Sequence, residues 1–163
     1  MAEYLVEFEV VQADFDNDRL GEKLYLENSA LFASKNGHLT VGTILPAKSG
    51  LAAAEKFIKT YKSTFNHTPL KWHTDFVTLG QIAKRTQYSH EAIRLLANGQ
   101  RGSGDFPKPV ASFGGKLNSN SIWNWPEVFN WMVANEKLEN EYLYPTQNEI
   151  MLINGELAIK QTA

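Results

Sequence analysis

The sequence predicts an α+β protein, and three features of its hydrophobic pattern lead to this class. Residues 1–75 alternate between segments with apolar residues at strand spacing and segments with apolar residues at helical spacing. Residues 76–136 contain two short helical segments joined by a tight turn, followed by two strand-like segments. Residues 137–163 end in a helical segment that is apolar on several sides. We therefore expect three parts with these boundaries.

The composition excludes several classes of protein. A chain of 163 residues, 43% apolar and 12% aromatic, forms one ordinary domain or two small ones with a real core, so disorder is not expected. Cysteine is absent, which excludes disulfides, thiolate metal sites and cysteine nucleophiles and favours a cytoplasmic protein. No apolar run is long enough to span a bilayer and no signal peptide opens the chain, so we expect no membrane partner.

The first part of the chain has the pattern of a split βαβ fold. Its predicted elements are, in order, a strand over 4–11, a helix over 19–28, strands over 31–34 and 39–45, a helix capped by Ser49 and a strand over 69–73. Asn36-Gly37 is a two-residue hairpin signal. This order predicts a ferredoxin-like domain, in which one antiparallel sheet carries both helices on one face.

The second part begins with a helix-turn-helix. Thr78 can cap the first helix, and Ser89 can cap the second, which we expect over residues 89–98. Apolar positions on both helices are spaced to pack the pair together. This is the arrangement in which a second helix enters the major groove of DNA. Gln87 occupies the turn position that is typically glycine, so a positive φ there would cost about 1 kcal/mol.

A wing is predicted after the two helices. Two short strands, over 110–113 and 121–125, flank a polar, glycine-bearing tip over 114–120 that contains Lys116. Pro126-Glu127 then begins a further helix. Residues 76–136 carry four acidic and six basic residues and are the only part with a net positive charge, as phosphate binding requires.

Several short motifs carry a resemblance to a known group of proteins. They are Leu79-x-x-Ile82-Ala83, Tyr88-Ser89-x-x-x-Ile93-Arg94, Phe106-Pro107-x-Pro109 and Trp123-x-Trp125-x-Glu127-Val128-x-x-Trp131. Together they resemble the winged helix-turn-helix of the MerR, excisionase and AlpA group. The chain also resembles small uncharacterised bacterial proteins that join a ferredoxin-like region to such a domain. The resemblance implies that Arg94 holds the DNA backbone while neighbouring helix residues contact bases.

Nine residues are the candidate DNA contacts. They are Tyr88, Ser89, His90, Glu91 and Arg94 from the second helix and its turn, Lys84 and Arg85 from the first helix, and Arg101 and Lys116 from the wing and its approach. Other roles stay open for the charged ones. Arg94 could pair with Glu91 within the helix, and Lys84 and Arg85 could form a solvated helix end.

Other potential sites have simpler interpretations. The spacing of Trp123, Trp125 and Trp131 favours core positions over base stacking. His38, His67 and His73 lack metal-ligand spacing, so we expect no metal and no cofactor. The sequence contains neither a nucleophile elbow nor any other recognisable set of catalytic residues, so we do not expect an enzyme.

The C-terminal helix is too apolar to be covered by solvent alone. Ile150, Ile153 and Leu157 form one stripe, and Met151, Leu152 and Ile159 extend it around the helix. The helix therefore packs either on its own chain or on a second copy. Because specific DNA binders usually occupy two half-sites, we expect a homodimer formed through this helix and the edge of the N-terminal sheet.

These features predict a sequence-specific protein for double-stranded DNA, a transcriptional regulator. The N-terminal domain would serve assembly, or would bind a small-molecule or protein effector. Two alternatives stay open. One is an excisionase-like protein that bends DNA without regulating a promoter. The other is an antitoxin or adaptor whose winged domain binds a partner protein.

Overall fold

The computed structural model describes residues 1–114 and 120–162 and has a mixed α+β architecture. Its elements in chain order are β1 (Ala2–Glu9), α1 (Gln12–Phe15), α2 (Asp18–Asn28), β2 (Leu31–Lys35), β3 (His38–Ala47), α3 (Gly50–Phe65), β4 (Lys71–Trp72), β5 (Phe76–Val77), α4 (Leu79–Thr86), α5 (His90–Ala97), β6 (Ala111–Ser112), β7 (Ser121–Asn124), α6 (Trp125–Ala134) and α7 (Gln147–Thr162). Among the described residues, no helix has both the length and the apolar character needed to cross a membrane.

The chain divides into two compact units. The N-terminal unit comprises Met1–His73 together with the C-terminal residues from Glu141 onward, and the central unit comprises Thr74–Asn140. The sequence predicts three parts, with the last helix separate. In the structure that helix, α7, belongs to the N-terminal unit.

A four-stranded antiparallel sheet forms the frame of the N-terminal unit. Its strand order is β2-β3-β1-β4. Alternate residues of β1 enter the core, where the ring of Phe8 stacks on Phe57 of α3 at 6.0 Å and meets Trp72 edge-on at 5.5 Å. Leu24 of α2 is fully buried in the same core. Both helices therefore cover the sheet through one continuous apolar cluster.

Local signals in the sequence fix the turns and caps of this unit. Asn36 and Gly37 have φ of 51° and 83°, which is the left-handed pair that a tight hairpin between β2 and β3 requires. The Ser49 side chain accepts a hydrogen bond from the Ala52 N–H at 3.0 Å and begins α3. Both predictions are confirmed.

Three predicted strands are longer than the structure allows. The strand predicted over 69–73 is the two-residue β4, and the strand predicted over 110–113 is the two-residue β6. The strand predicted over 121–125 ends at Asn124, because Trp125 is already the first residue of α6. Pro126 in the first turn explains this boundary, since proline has no N–H to donate and is favoured at a helix start. The short helix α1 was not predicted.

Helix α7 buries its main apolar stripe within its own chain. Ile150, Ile153 and Leu157 lie in the same core as Phe8 and Phe57. The backbone also ties α7 to its neighbours: the Asn154 side chain accepts from the Trp72 N–H at 2.8 Å, and Glu149 accepts from the Leu51 N–H at 2.6 Å. The sequence left two partners open for this stripe, its own chain or a second copy. In the structure the stripe packs within its own unit.

A buried carboxylate on α1 links that helix to α3 and to the segment that follows α3. The Tyr61 hydroxyl donates to Asp14, whose carboxylate also lies 3.0 Å from His67 Nε2. Asp14 is only 7% exposed, and Tyr61 is fully buried. Burial, followed by the hydrogen bond to Asp14, raises the pKa of Tyr61 far above its ordinary value.

We expect Tyr61→Phe to lower the free energy of unfolding by about 1–3 kcal/mol at neutral pH, because Asp14 keeps its burial but loses a donor. The folded-state pKa of Tyr61 exceeds the unfolded value of about 10. The stability that this group contributes is therefore complete below pH 10 and is lost as the pH rises above it. Urea denaturation from pH 7 to 11 should show a shallower alkaline decline for Tyr61→Phe than for the control Tyr25→Phe, whose hydroxyl is exposed. Equal declines would contradict this assignment.

The central unit combines a small sheet with three helices. Its strands pair in the order β5-β7-β6, all antiparallel. Large side chains from the sheet and from each helix are fully buried or nearly so: Val77, Ile82, Ile93, Leu96, Trp123, Val128 and Met132. This core fixes the positions of α4, α5 and the β6–β7 hairpin. The candidate DNA contacts between residues 84 and 94 lie on α4, α5 and the turn that joins them.

Candidate nucleic-acid interface

The first helix of the candidate motif starts at a capping box. The Thr78 hydroxyl accepts from the Gln81 N–H at 3.3 Å, and the Gln81 side chain accepts from the Thr78 N–H at 2.9 Å. Leu79, Ile82 and Ala83 are buried, as predicted. Two of the N–H groups exposed by a helix start are therefore paired, and the start of α4 is well defined.

A three-residue turn joins the two helices. Gln87 has φ of 62°, in the left-handed region, so the strained conformation considered for this turn position is present. The Thr86 hydroxyl donates to the Ile82 carbonyl at 2.8 Å, and the Ser89 hydroxyl accepts from the Ala92 N–H at 3.1 Å. Ile93 of the second helix is fully buried. The second helix runs over His90–Ala97, with Ser89 and Asn98 as its caps.

We expect Gln87→Gly to be neutral or stabilising, by up to about 1 kcal/mol, because glycine adopts this φ without a steric penalty. The control is Gln100→Gly, at a position without a positive φ, where glycine should cost a few tenths of a kcal/mol through lost backbone entropy. Thermal unfolding followed by circular dichroism distinguishes the two. A clear fall in the melting temperature of Gln87→Gly would mean that this turn conformation is wrong.

The candidate residues at the start of α5 differ in their exposure to solvent and in their hydrogen bonds. His90 and Glu91 are exposed in its first turn. Ser89 is exposed too, although its hydroxyl serves as the helix cap. The Tyr88 hydroxyl donates to the Lys137 carbonyl at 2.9 Å, which links the turn to the segment that follows α6. Tyr88 is 37% exposed, so its ring still faces solvent in part.

Arg94 and Glu91 form a two-point ion pair on the outer face of α5. Arg94 Nη2 lies 2.6 Å from Glu91 Oε1, and Arg94 Nε donates to Glu91 Oε2 at 2.9 Å. The hydrogen bond from Arg94 lowers the pKa of Glu91, and electrostatic interactions with Arg94 itself, His90 and Arg101 lower it further. The same pair raises the pKa of Arg94. Of the predicted contacts, Arg94 therefore pairs directly with Glu91, and His90 and Arg101 have smaller electrostatic effects on the same carboxylate.

The two basic residues of α4 have separate environments. Arg85 makes a bidentate ion pair with Asp75, at 2.7 and 3.1 Å, and its guanidinium lies 5.0 Å from the ring centre of Trp125. Lys84 is exposed and makes no ion pair within the part of the chain that the structure describes. Arg85 therefore links α4 to the residue before β5 and to the first residue of α6, and Lys84 is the freer of the two cations.

The β6–β7 hairpin occupies the predicted position of the wing. Its backbone pairing extends beyond the strands, since the Val110 N–H donates to the Ile122 carbonyl and the Phe113 N–H donates to the Asn120 carbonyl. Lys116, the predicted contact at the tip, lies outside the described residues. Arg101 is exposed in the segment that leads to the hairpin.

Two exposed residues near the hairpin were not among the predicted contacts. Lys108 is exposed between two prolines, and Phe113 is 69% exposed directly after β6. The proline-flanked lysine was a visible signal, because a rigid segment holds a cation at a defined place. For Phe113 the sequence has no comparable signal, since an apolar residue at a strand end is usually assigned to the core.

The tryptophans hold the central unit together. Trp123 is buried, and its indole N–H donates to the Pro107 carbonyl at 2.9 Å. Trp131 is partly buried and donates to Asp105 at 3.1 Å, which lowers the pKa of Asp105 after the larger effect of the Ser103 hydroxyl. Trp125 is buried beneath Arg85. Core packing, the preferred interpretation of these residues, is confirmed for Trp123 and Trp125.

The histidines of the N-terminal unit lie beside carboxylates. His38 and His73 each place Nδ1 3.3 Å from Glu9, and His67 contacts Asp14. Over residues 1–114 and 120–162, no group of three or more acidic or histidine side chains is arranged to hold a metal ion.

Comparisons with known proteins find no family model, no curated protein and no solved structure that matches the chain.

Proposed function

We propose that this protein binds double-stranded DNA sequence-specifically, as a transcriptional regulator, and that its central unit is a winged helix-turn-helix. The observation that carries the proposal is the α4–turn–α5 pair, with the caps at Thr78 and Ser89 and the left-handed Gln87 between them. Helix α5 is the recognition helix in the major groove, and the β6–β7 hairpin is the wing.

The exposure of α5 supports this role. Ile93 and Leu96 hold the helix from behind, while His90 and Glu91 project from its first turn into solvent. Helix-turn-helix proteins meet base edges with the N-terminal residues of this helix. A rigid helix with exposed polar side chains at that end has the geometry that base recognition requires.

The Glu91–Arg94 pair supplies both kinds of hydrogen-bonding group. A carboxylate can accept from the amino group of cytosine, and a guanidinium can donate to guanine or to a phosphate. In the free protein each group satisfies the other. Binding therefore replaces the ion pair within α5 with contacts to DNA. This exchange favours sequences that offer a partner to both groups. It disfavours binding to the phosphate backbone alone, because a uniformly negative backbone offers no partner to Glu91. Among the described residues, Arg101, Lys84 and Lys108 are cations of the central unit that can contact phosphate.

The same proposal gives the N-terminal unit a ferredoxin-like fold with a role in assembly or in sensing an effector. The antiparallel strand order β2-β3-β1-β4, with α2 and α3 on one core, supports it. A second copy would pair through α7, where Met151, Leu152 and Ile159 are 70%, 58% and 71% exposed. The edge strand β2, with Leu31 at 63% exposed, would extend that interface.

We expect a homodimer at tens of micromolar, measured by size-exclusion chromatography with light scattering. Because the exposed stripe of α7 is apolar, Met151→Glu with Ile159→Glu should convert the dimer into a folded monomer. Lys23→Glu with Glu22→Lys, on the exposed side of α2, is the control and should leave the dimer intact. A monomeric wild-type protein would rule out this part of the proposal.

A DNA-bending role is the second candidate function. Phe113 is a large apolar side chain exposed beside a hairpin, and bending proteins insert such wedges between base steps. Gel mobility of a bound duplex, with the site placed at the end or in the middle, measures bending directly. A bend that is lost in Phe113→Ser would favour this candidate. A partner-binding role is the outcome if the protein co-purifies with another protein and binds no duplex.

Selection from a library of random duplexes tests the proposed function. We expect enrichment of one sequence, present as two half-sites if the dimer binds both. The matched control is the variant His90→Ala with Arg94→Ala, which should enrich nothing. A wild-type selection without any enriched sequence would refute sequence-specific binding.

A further inference from the structure

A cleft lies between α3 and α7 on the N-terminal unit. Its volume is about 580 Å³. Four lysines line it: Lys56, Lys59 and Lys62 from α3 and Lys160 from α7. Half-buried Ala52 adds apolar surface, the buried Ile58 lies beneath it, and two glutamates lie among the lysines. The residues that form it belong to one unit and none is a candidate DNA contact of the central unit.

The positive charge of this cleft is only partly compensated. None of the four lysine ammonium groups makes an ion pair with any residue that the structure describes. Lys56, Lys59 and Lys62 recur every three residues along one helix, where like charges repel each other and destabilise the helix by a few tenths of a kcal/mol per pair. With four cations against two carboxylates, a bound anion would relieve this repulsion.

The size of the cleft indicates the kind of anion. Sites for small molecules measure about 300–1,000 Å³ and combine apolar walls with a few polar groups. Lysine binds phosphate as a point charge, and several lysines along one wall suit a ligand with more than one phosphate charge. The apolar surface from Ala52 and from the aliphatic stems of the lysines suits a ring or another non-polar part of the same molecule.

We propose that the α3–α7 cleft is a binding site for a small phosphorylated molecule that carries at least two negative charges. The site is separate from the DNA-binding residues proposed above and does not depend on them. A nucleoside polyphosphate and an inorganic polyphosphate share this chemistry. The apolar wall favours the nucleotide.

Isothermal titration calorimetry of the full chain tests the site with three probes: ATP, inorganic tripolyphosphate and adenosine, without divalent cations. We expect a dissociation constant below about 1 mM for ATP, weaker binding of tripolyphosphate and none of adenosine. Lys59→Glu with Lys62→Glu should weaken ATP binding at least 10-fold. Glu156→Gln, which removes a negative charge from the cleft, should tighten it about 2- to 5-fold.

The control Lys23→Glu with Lys71→Glu makes the same change in net charge on exposed lysines outside the cleft, and should change ATP affinity less than 2-fold. If the charge-reversed cleft variant fails to fold by circular dichroism, Lys59→Gln with Lys62→Gln makes the same comparison. The proposal is overturned if wild type binds neither ATP nor tripolyphosphate, if adenosine binds as well as ATP, or if the control loses as much affinity. Tighter binding of tripolyphosphate than of ATP would support the anion site and would overturn the preference for a nucleotide.

Discussion

The double variant His90→Ala with Arg94→Ala should bind its preferred DNA sequence at least 100-fold more weakly than wild type. A good bidentate contact to a base contributes about 1–3 kcal/mol, and Arg94 is the residue of α5 best able to make one. His90 adds a second contact from the first turn. Removing Arg94 also leaves Glu91 without its ion-pair partner, so an unbalanced carboxylate would face the phosphates. Fluorescence anisotropy with a labelled duplex measures the loss.

The fold should survive these two substitutions. His90 is exposed and Arg94 is half-buried, so neither contributes a large side chain to the core. The matched control is Arg19→Ala with His38→Ala, which removes the same two residue types from the N-terminal unit and should leave DNA affinity within 2-fold. If the His90/Arg94 variant binds as tightly as wild type, α5 is not the recognition helix.

Gly50→Ala should destabilise the N-terminal unit by about 1–3 kcal/mol or more, as overpacking of a close contact does. A Cβ at Gly50 would lie 2.5 Å from Pro145 Cα and 2.9 Å from Glu149 Oε1. The first distance involves backbone, which cannot rotate away. The same Glu149 carboxylate accepts from the Leu51 N–H at 2.6 Å, so a shift of the segment would also break this cap. Urea denaturation measures the change.

Gly155→Ala is the matched control on α7. A Cβ at Gly155 meets nothing within 4 Å, and alanine is favoured over glycine inside a helix by about 0.5–1 kcal/mol. We therefore expect opposite signs from the same substitution at two positions. Equal, small effects at both would mean that the chain around Pro145 does not pack on the start of α3.

The sequence predicts the helices α4 and α5 and the turn between them well because their signals are local. Thr78 and Ser89 cap their helices within three residues of the groups they bind, and the left-handed turn at Gln87 follows from the short separation of the two helices. The partner of α7 could not be predicted in this way. Helical spacing identifies Ile150, Ile153 and Leu157 as a buried stripe, but it contains no information about what covers them.

The contacts of the candidate site also fall into two groups: local pairs, which the sequence predicts, and pairs distant along the chain, which it does not. The Glu91–Arg94 pair is three residues apart and was foreseen as the alternative to DNA contact. The bracing of Arg85 by Asp75 and Trp125 joins residues 10 and 40 positions away. Such pairs depend on how α4 and α6 meet, which no local pattern determines. The α3–α7 cleft escaped prediction for the same reason, since its lysines come from helices about 100 residues apart.

The central claim is sequence-specific binding of double-stranded DNA, and anisotropy titrations at several salt concentrations test it most directly. The duplexes are genomic fragments that include the region upstream of the protein's own gene, with scrambled duplexes of equal length. We predict that one fragment binds at least about 1,000-fold more tightly than its scrambled form, with an affinity that falls steeply as salt increases. Equal affinity for every duplex, or no binding even at about 50 mM salt, would contradict the claim.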